Sequence, residues 1–532
     1  MDLFLSKGRS STFDSPTHLA NIAQFTKALQ SGDFPVRWMD GFGNYGMPMG
    51  IIVQQTTAYL GASLTFITHN IFLSYNIVVL IGAFLSTYFL YYFLTYHFSE
   101  KAALLGAILF NFAPYRIINI YIRGALPEFF SHVFFSIVFI GLFLFIKRKK
   151  SNGLIYLFIG FVGILLTHPF TLIIGMFLWI PYVIWLIWES KNIGFIIDNI
   201  PHILLTIFLI FGISTFYILP LYFEIKYFYY GTGSHFIPGN FLTLKNYLGD
   251  QWYYFYQNDI EVRGHVIHLG LIELIVILSG IFSFFFSKKY KHRFLYWVIP
   301  SGFVIAFFTT HYADFIYTKI NLLGNIQHNW RMFTSMVFVA PFILAALFDK
   351  VKSKAVFFLI IFIIVIFRFP QLYGKNYMVE QQGKYYWTKL NLHGNIMNTV
   401  WTGPTQNYPI KKVKGEIIEG KGKIAKRDEH NSWRQYEVDA NTDVRMADYT
   451  FYFPGWKVFV DNKEMPIEFQ DMNYRGVITY RVPQGKHTIL VKFTNTKVRL
   501  LANIVSLFSI GVLGALIIFR KKLFRHSSQE SS

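Results

Sequence analysis

The sequence predicts a polytopic α-helical membrane protein of about 11 spans with an extracytoplasmic β-sandwich-like domain near its C-terminus. Three observations carry this. Apolar runs long enough to cross a bilayer recur along a chain of 532 residues that is 53% hydrophobic and only 15% charged. The basic residues gather in short clusters at the ends of those runs. One long stretch, 371–500, departs from the rest in being polar and rich in turns.

Apolar length places spans at 71–95, 101–119, 128–146, 153–168, 171–188, 203–223, 268–287, 294–310, 334–348, 355–370 and 501–519. Four short stretches are strongly basic: Lys147 to Lys150, Lys288 to Arg293, Lys350 to Lys354, and the tail Arg520 to Arg525. Counting spans puts all four on one side. The bias of Lys and Arg toward the cytoplasm makes that side the cell interior. The C-terminal tail is then cytoplasmic, and 225–267, 371–500 and the polar stretch before residue 70 face outward. Residues 1–50 would lie outside with no span or signal peptide ahead of them. Either the segment 51–68 enters the membrane or an N-terminal helix is missing from this reading frame. The polar centre of "IIVQQTTAYLGASLTFITH" favours an interfacial segment and a missing helix.

Within 371–500, "GWKVFVDNKEMPIEF", "GVITYRV" and "KHTILVKF" read as short strands, with Asp461-Asn462 and Gln484-Gly485 as turns. Its aromatic and β-branched content argues against a disordered loop. The expected organisation is an outer or interfacial loop 1–70, a membrane core 71–370, the β-rich domain 371–500, and a final span with basic tail 501–532. The formal charge of +20 invites a nucleic-acid reading, but the placement of the charges at span ends argues for a lipid bilayer and no nucleic acid. With no cysteine, disulfides and thiolate metal sites are excluded, and such a chain fits bacterial export.

Three polar regions could carry chemistry. In "TFDSPTHLANIAQF", Asp14 and His18 are four apart with Pro16 between them. A helix starting near Ser15 would set them one turn apart at the membrane surface. They could form a general base with a supporting imidazole, or a plain helix cap with a surface His. In "NFAPYRIINIYIRGALPEFFSH", Arg116, Arg123 and Glu128 cluster at a depth where charges are costly. Two arginines could grip a phosphate, with Glu128 as acid or base; equally, an Arg–Glu pair could lock two helices.

The third region is "NIQHNWRMF". Gln327, Trp330 and Arg331 could contact a phosphate or sugar, or anchor the chain at the interface. His168, in the turn of "LLTHPFT", either lines the same cavity or caps and packs a helix. The aromatic loop 225–267 could lie on headgroups or cover a site. The sequence has no Gly-rich nucleotide loop and no metal-ligand spacing.

Taken in order, the outer Asp-x-x-x-His, "FPVRW", "YGMP", "APYR…YIRGALPE" and "IQHNWR" resemble bacterial membrane proteins of the GT-C glycosyltransferase superfamily. The nearest groups are YfhO-like proteins and those labelled 6-pyruvoyl-tetrahydropterin synthase-related, a label that implies no pterin chemistry. The tail "YTFYFPGWKVFVDNK…GVITYRVPQGKHTILVKFTNT" and its following span are similar to the same proteins. Relatives carry a membrane helix just before the Asp motif, and "QFPWR" where this chain has "IQHNWR".

The resemblance implies transfer of a sugar from a polyprenyl-phosphate carrier to an envelope polymer, glycolipid or protein acceptor on the outer face of a bacterial cytoplasmic membrane. It implies Asp14 as catalytic carboxylate and Arg123, with Arg331 or Arg116, stabilising the leaving phosphate. His18 and Glu128 would support geometry or protonation. Some GT-C enzymes use a divalent cation and others do not, so the metal stays open. Two alternatives remain at this stage. A transporter or flippase of a lipid-linked precursor would need charges inside spans that read as nearly free of them. A non-catalytic protein would bind envelope polymer through the β domain.

Overall fold

The computed structural model describes residues 8–10, 12–42, 45–228, 241–248, 267–286, 292–372, 377–379, 386, 398–403, 408–409 and 411–523. Most of the aromatic loop expected at 225–267 lies outside these residues, as do the side chains of the basic tail from Arg520. The chain is a polytopic helical membrane protein with a C-terminal antiparallel β region. Every apolar run read from the sequence is helical. Among the described residues seven helices are long and apolar enough to cross a membrane, eight if one bent pair counts as a single span, and Gly153–Thr167, Leu271–Phe286 and Leu295–Phe308 are shorter apolar helices.

Two compact units emerge, each built from three separate stretches of chain. Unit 1 comprises Met1–His18, Phe72–Ile210 and Ser234–Val379 and holds most of the apolar helices. Its central members are Leu126–Lys147 and Asn329–Phe348, whose apolar windows are 94% and 83% buried. Lys354–Gln371, at 17%, presents its apolar surface outward, as a lipid-facing helix does. Leu126–Leu142 packs closely on Gly153–Thr167 because Gly141, Gly153, Gly160 and Gly163 leave no room for a Cβ against the facing helix. The run read as one span at 101–119 is two helices, Glu100–Asn111 and Pro114–Tyr121, bent by 41°. Pro114 lacks a backbone donor and holds Ala113 extended, which breaks the ladder there. A short antiparallel pair, β1 (Gly8–Ser10) with β2 (Tyr377–Val379), completes the unit.

Unit 2 gathers Leu19–Ile71, Phe211–Gly233 and Glu380–Ser532. Eight strands follow: β3 (Gly415–Glu419), β4 (Gly422–Glu429), β5 (Trp433–Ala440), β6 (Val444–Phe451), β7 (Trp456–Val460), β8 (Lys463–Met465), β9 (Val477–Val482) and β10 (Gly485–Phe493). They form a five-stranded sheet ordered β4-β5-β10-β7-β8 and a three-stranded sheet β3-β6-β9. Alternate residues of both, such as Tyr436, Val438, Val458 and Ile489 from one and Met446, Ile478 and Tyr480 from the other, share one core. Asp461 and Asn462, both with positive φ, make the two-residue turn between β7 and β8 that their sequence announces.

The N-terminal segment is part of this core through Trp38 and Ile51. Asp40 pairs with Arg434 and, at 2.9 Å, with Lys414. Burial pushes the Asp40 carboxyl up, but Lys414, Arg434 and Lys27 outweigh it and hold its pKa at about 2. Asn431 and Ser432 donate to Asp33 at 2.6 and 2.5 Å. Gln55–Thr68 is a separate 14-residue helix.

Candidate functional site

Unit 1 brings most of the singled-out residues together. The helix Pro114–Tyr121 carries Tyr115 and Asn119, and the turn after it carries Arg123. The next helix, Leu126–Leu142, opens with Pro127 and has Glu128 in its first turn, where the helix dipole favours a carboxylate. Arg123 spans the gap. Its Nη2 bonds Glu128 Oε2 at 3.0 Å and its Nη1 donates to Asn119 Oδ1 at 2.6 Å and to the Tyr115 hydroxyl at 3.0 Å. Glu128 Oε1 accepts from Tyr115 and from Thr334 at 2.9 Å, so both of its oxygens are engaged. Burial opposes the Arg123 charge, but Glu128, Tyr115 and Asp14 outweigh it and raise its pKa.

The segment before the first long helix lies against the backbone of this turn. Phe13 N–H donates to Ile122 C=O at 3.1 Å, and Asp14 N–H donates to Arg123 C=O at 2.6 Å. The Thr12 hydroxyl accepts from Ser15 N–H as helix Ser15–Gln30 begins, and His18 follows one turn after Asp14. Burial, then the nearby His168 and Arg123, hold the His18 pKa down at about 3, so its imidazole is neutral at pH 7. Asp14 and His18 both keep part of their surface exposed.

His168 is linked to Glu128 through a chain of hydroxyls. Its Nδ1 meets Thr171 Oγ1 at 2.8 Å, Thr171 meets Ser131 Oγ at 2.9 Å, and Ser131 donates to the Glu128 backbone carbonyl at 2.7 Å. The charges of Glu128, Arg331 and Arg123 all act on His168. Trp330 lies in the turn Asn329–Met332 with its ring 4.4 Å beneath the Arg123 guanidinium. His328 stacks on the same indole at 4.9 Å. Trp330 is 6% exposed, so little of it is open to a sugar. Gln327, three residues earlier, takes a left-handed backbone, φ 69°, in the turn that leads into Trp330. Arg331 is partly exposed; Nη1 makes a long bond of 3.3 Å to Ile326 C=O, and Nε has no partner among the described residues.

Arg116 stands apart from the others in its contacts. It is fully buried within the helices, between the Phe110 and Phe129 rings, and it bonds His132 Nδ1 at 3.0 Å and Ser86 Oγ at 2.8 Å. Sequence reasoning missed Tyr115, Asn119, Thr334, Ser131 and Thr171. Asn119 was accessible in principle, being only four residues before Arg123 in the chain. Thr334 lies 206 residues from Glu128 and carries no local signal. A divalent cation does not fit these donors: both Glu128 oxygens are engaged and His18 sits beside positive charge. Among the described residues no group of three or more His, Asp or Glu side chains is arranged to hold a metal ion.

The family model for the 6-pyruvoyl-tetrahydropterin synthase related domain, described as a membrane protein, matches residues 57–373. The chain belongs to that family. The match covers Arg123, Glu128, His168 and Arg331, while Asp14 and His18 lie before it. No curated protein and no solved structure matches the chain.

Proposed function

We propose that the protein is a GT-C-type glycosyltransferase that moves a sugar from a polyprenyl-phosphate carrier to a hydroxyl of an envelope polymer, glycolipid or protein. The observation that carries this reading is the meeting of a partly exposed residue, Asp14, with the Arg123 turn, its backbone N–H bonded to the Arg123 carbonyl and its charge acting on the Arg123 guanidinium. Asp14 takes the proton of the acceptor hydroxyl as its oxygen bonds the anomeric carbon. The bond from that carbon to the carrier phosphate breaks, and the phosphate leaves with the electron pair. Arg331, whose Nε–H has no partner among the described residues, is the guanidinium this reading assigns to the charge that develops. Arg123 is already bonded to Glu128, Asn119 and Tyr115, so its role is to hold the Asp14 backbone and set the local field. Neutral His18 can accept or donate a hydrogen bond to a sugar hydroxyl.

In this reading the chemistry lies on the outer face of a bacterial cytoplasmic membrane, with the β region outside and the C-terminal tail inside; the four basic stretches at span ends support that orientation. The test is sugar transfer from a polyprenyl-phosphate sugar in membranes carrying the full chain. Asp14→Asn and Arg331→Gln should each lower the rate at least ~100-fold while the protein elutes as before. Undiminished transfer by Asp14→Asn refutes the reading.

One observation favours transport as a second reading. Arg116, Glu128, Glu273 and Arg368 are all buried ionisable residues on apolar helices, more than the spans led us to expect. Glu128, Glu273 and Arg368 lie at helix ends, however, and Glu273 is paired with Arg368 at 2.6 Å, which suits helix locking better than a pathway.

A further inference from the structure

His132 takes no part in the chemistry above, and its neighbour Arg116 is a buried charge still without a role. Both are fully buried. Among the described residues the Arg116 guanidinium meets only uncharged partners: Ser86, His132 and the Phe110 and Phe129 rings.

The directions of these hydrogen bonds follow from chemistry. A guanidinium only donates. Arg116 Nη1 lies 3.0 Å from His132 Nδ1, so Nδ1 accepts with its lone pair. The ring proton then sits on Nε2, which donates to Thr334 C=O at 3.2 Å, an atom that only accepts. Two partners thus fix one tautomer of a neutral imidazole. On its other side Arg116 Nη2 donates to Ser86 Oγ at 2.8 Å, and the hydrogen of Ser86 goes to Gly82 C=O at 2.6 Å. The Phe110 and Phe338 rings, 5.8 and 5.7 Å from the imidazole, wall the site.

Thr334 is held twice by one helix. Glu128 and His132 are four residues apart on Leu126–Leu142, one turn along the same face. Glu128 Oε1 accepts from the Thr334 hydroxyl at 2.9 Å, while His132 holds the Thr334 carbonyl. Thr334 is the second residue of helix Phe333–Phe348, directly after the turn Asn329–Met332 that carries Trp330 and Arg331. One bond would let that helix swivel about it. Two bonds a turn apart fix both its rotation and its height. The stacked Phe135 and Phe338 rings, 4.4 Å apart, add cohesion between the same helices but little direction.

We propose that His132, locked by Arg116, is a positioning residue: with Glu128 it clamps Thr334 and so sets the turn that carries Trp330 and Arg331. The effect on sugar transfer rests on the function proposed above; the clamp itself does not.

The experiment uses the full chain, with amide hydrogen exchange of residues 326–334 in detergent and sugar transfer in membranes as readouts. The amide of His132→Gln can donate from near the place of Nε2, whereas that of His132→Asn falls short of Thr334. His132→Asn should speed the exchange at least ~10-fold and lower kcat at least ~10-fold with KM unchanged, since a displaced Arg331 is felt in the transition state. His132→Gln should bring both within ~3-fold of the unaltered protein. In an Arg331→Gln background His132→Asn should lower transfer by less than ~2-fold more, because its effect runs through the guanidinium already lost. Thr334→Val, which removes only the hydroxyl, should speed the same exchange by itself. Undiminished transfer by Asp14→Asn, with exchange changed as above, refutes the transfer function and supports the clamp. Unaltered exchange in His132→Asn, equal losses in His132→Asn and His132→Gln, or full additivity with Arg331→Gln overturns the proposal.

Discussion

At the scale of single residues, the cluster depends on one buried ion pair. Arg123 and Glu128 are 3.0 Å apart, with side chains 12% and 2% exposed. Removing one member of such a pair leaves a charge without its counter-charge. Glu128→Gln keeps the size and the bonds from Tyr115 and Thr334 but deletes the charge that holds Arg123. It should cost about 3 kcal/mol in denaturant unfolding of the solubilised protein. A loss under about 0.5 kcal/mol would mean that solvent screens the pair. The sequence allowed both a helix-locking pair and a phosphate grip for Arg116, Arg123 and Glu128. Spacing could not separate them, because which guanidinium is committed depends on Thr334 and Trp330, which come from a stretch roughly 200 residues further along the chain.

At the scale of elements, Gly124 decides how the turn and the N-terminal segment meet. It has φ 68°, and a Cβ there would lie 2.0 Å from Thr12 Oγ1 and 2.8 Å from Ser15 N. Its carbonyl accepts from Tyr75 at 3.1 Å. Gly124→Ala should therefore destabilise the protein by ~1–3 kcal/mol and also reduce sugar transfer, since moving Thr12 moves Asp14. Lower melting temperature with full transfer activity would show that the turn does not position the carboxylate. Elements were the most legible level in the sequence. Apolar length found every described helix long and apolar enough to cross a membrane, and Asp461-Asn462 found its hairpin, because these signals are local. The break at Pro114 escaped the span reading, since the apolar run continues through it.

At the scale of the whole molecule, the topology is testable because the chain has no cysteine. Single cysteines at Lys150 and Lys352 should resist a membrane-impermeant maleimide in intact cells, and one at Lys463 should react. Labelling at Lys150 with protection at Lys463 would invert the orientation. What the sequence could not disclose at this scale is that the N-terminal segment folds with the β strands. The contacts responsible, Asp40 with Arg434 and Asp33 with Asn431, join residues nearly 400 apart, and nothing near either partner foretells the other. The interleaving has a consequence for synthesis. Residues 19–71 leave the ribosome long before β3 to β10 exist, and 344 residues separate position 71 from position 415. At ~5–20 residues per second the early segment waits roughly 17–70 s for its partner. During that time Trp38 and Ile51 need shelter from a chaperone or the bilayer surface, so this early segment is among the last to mature.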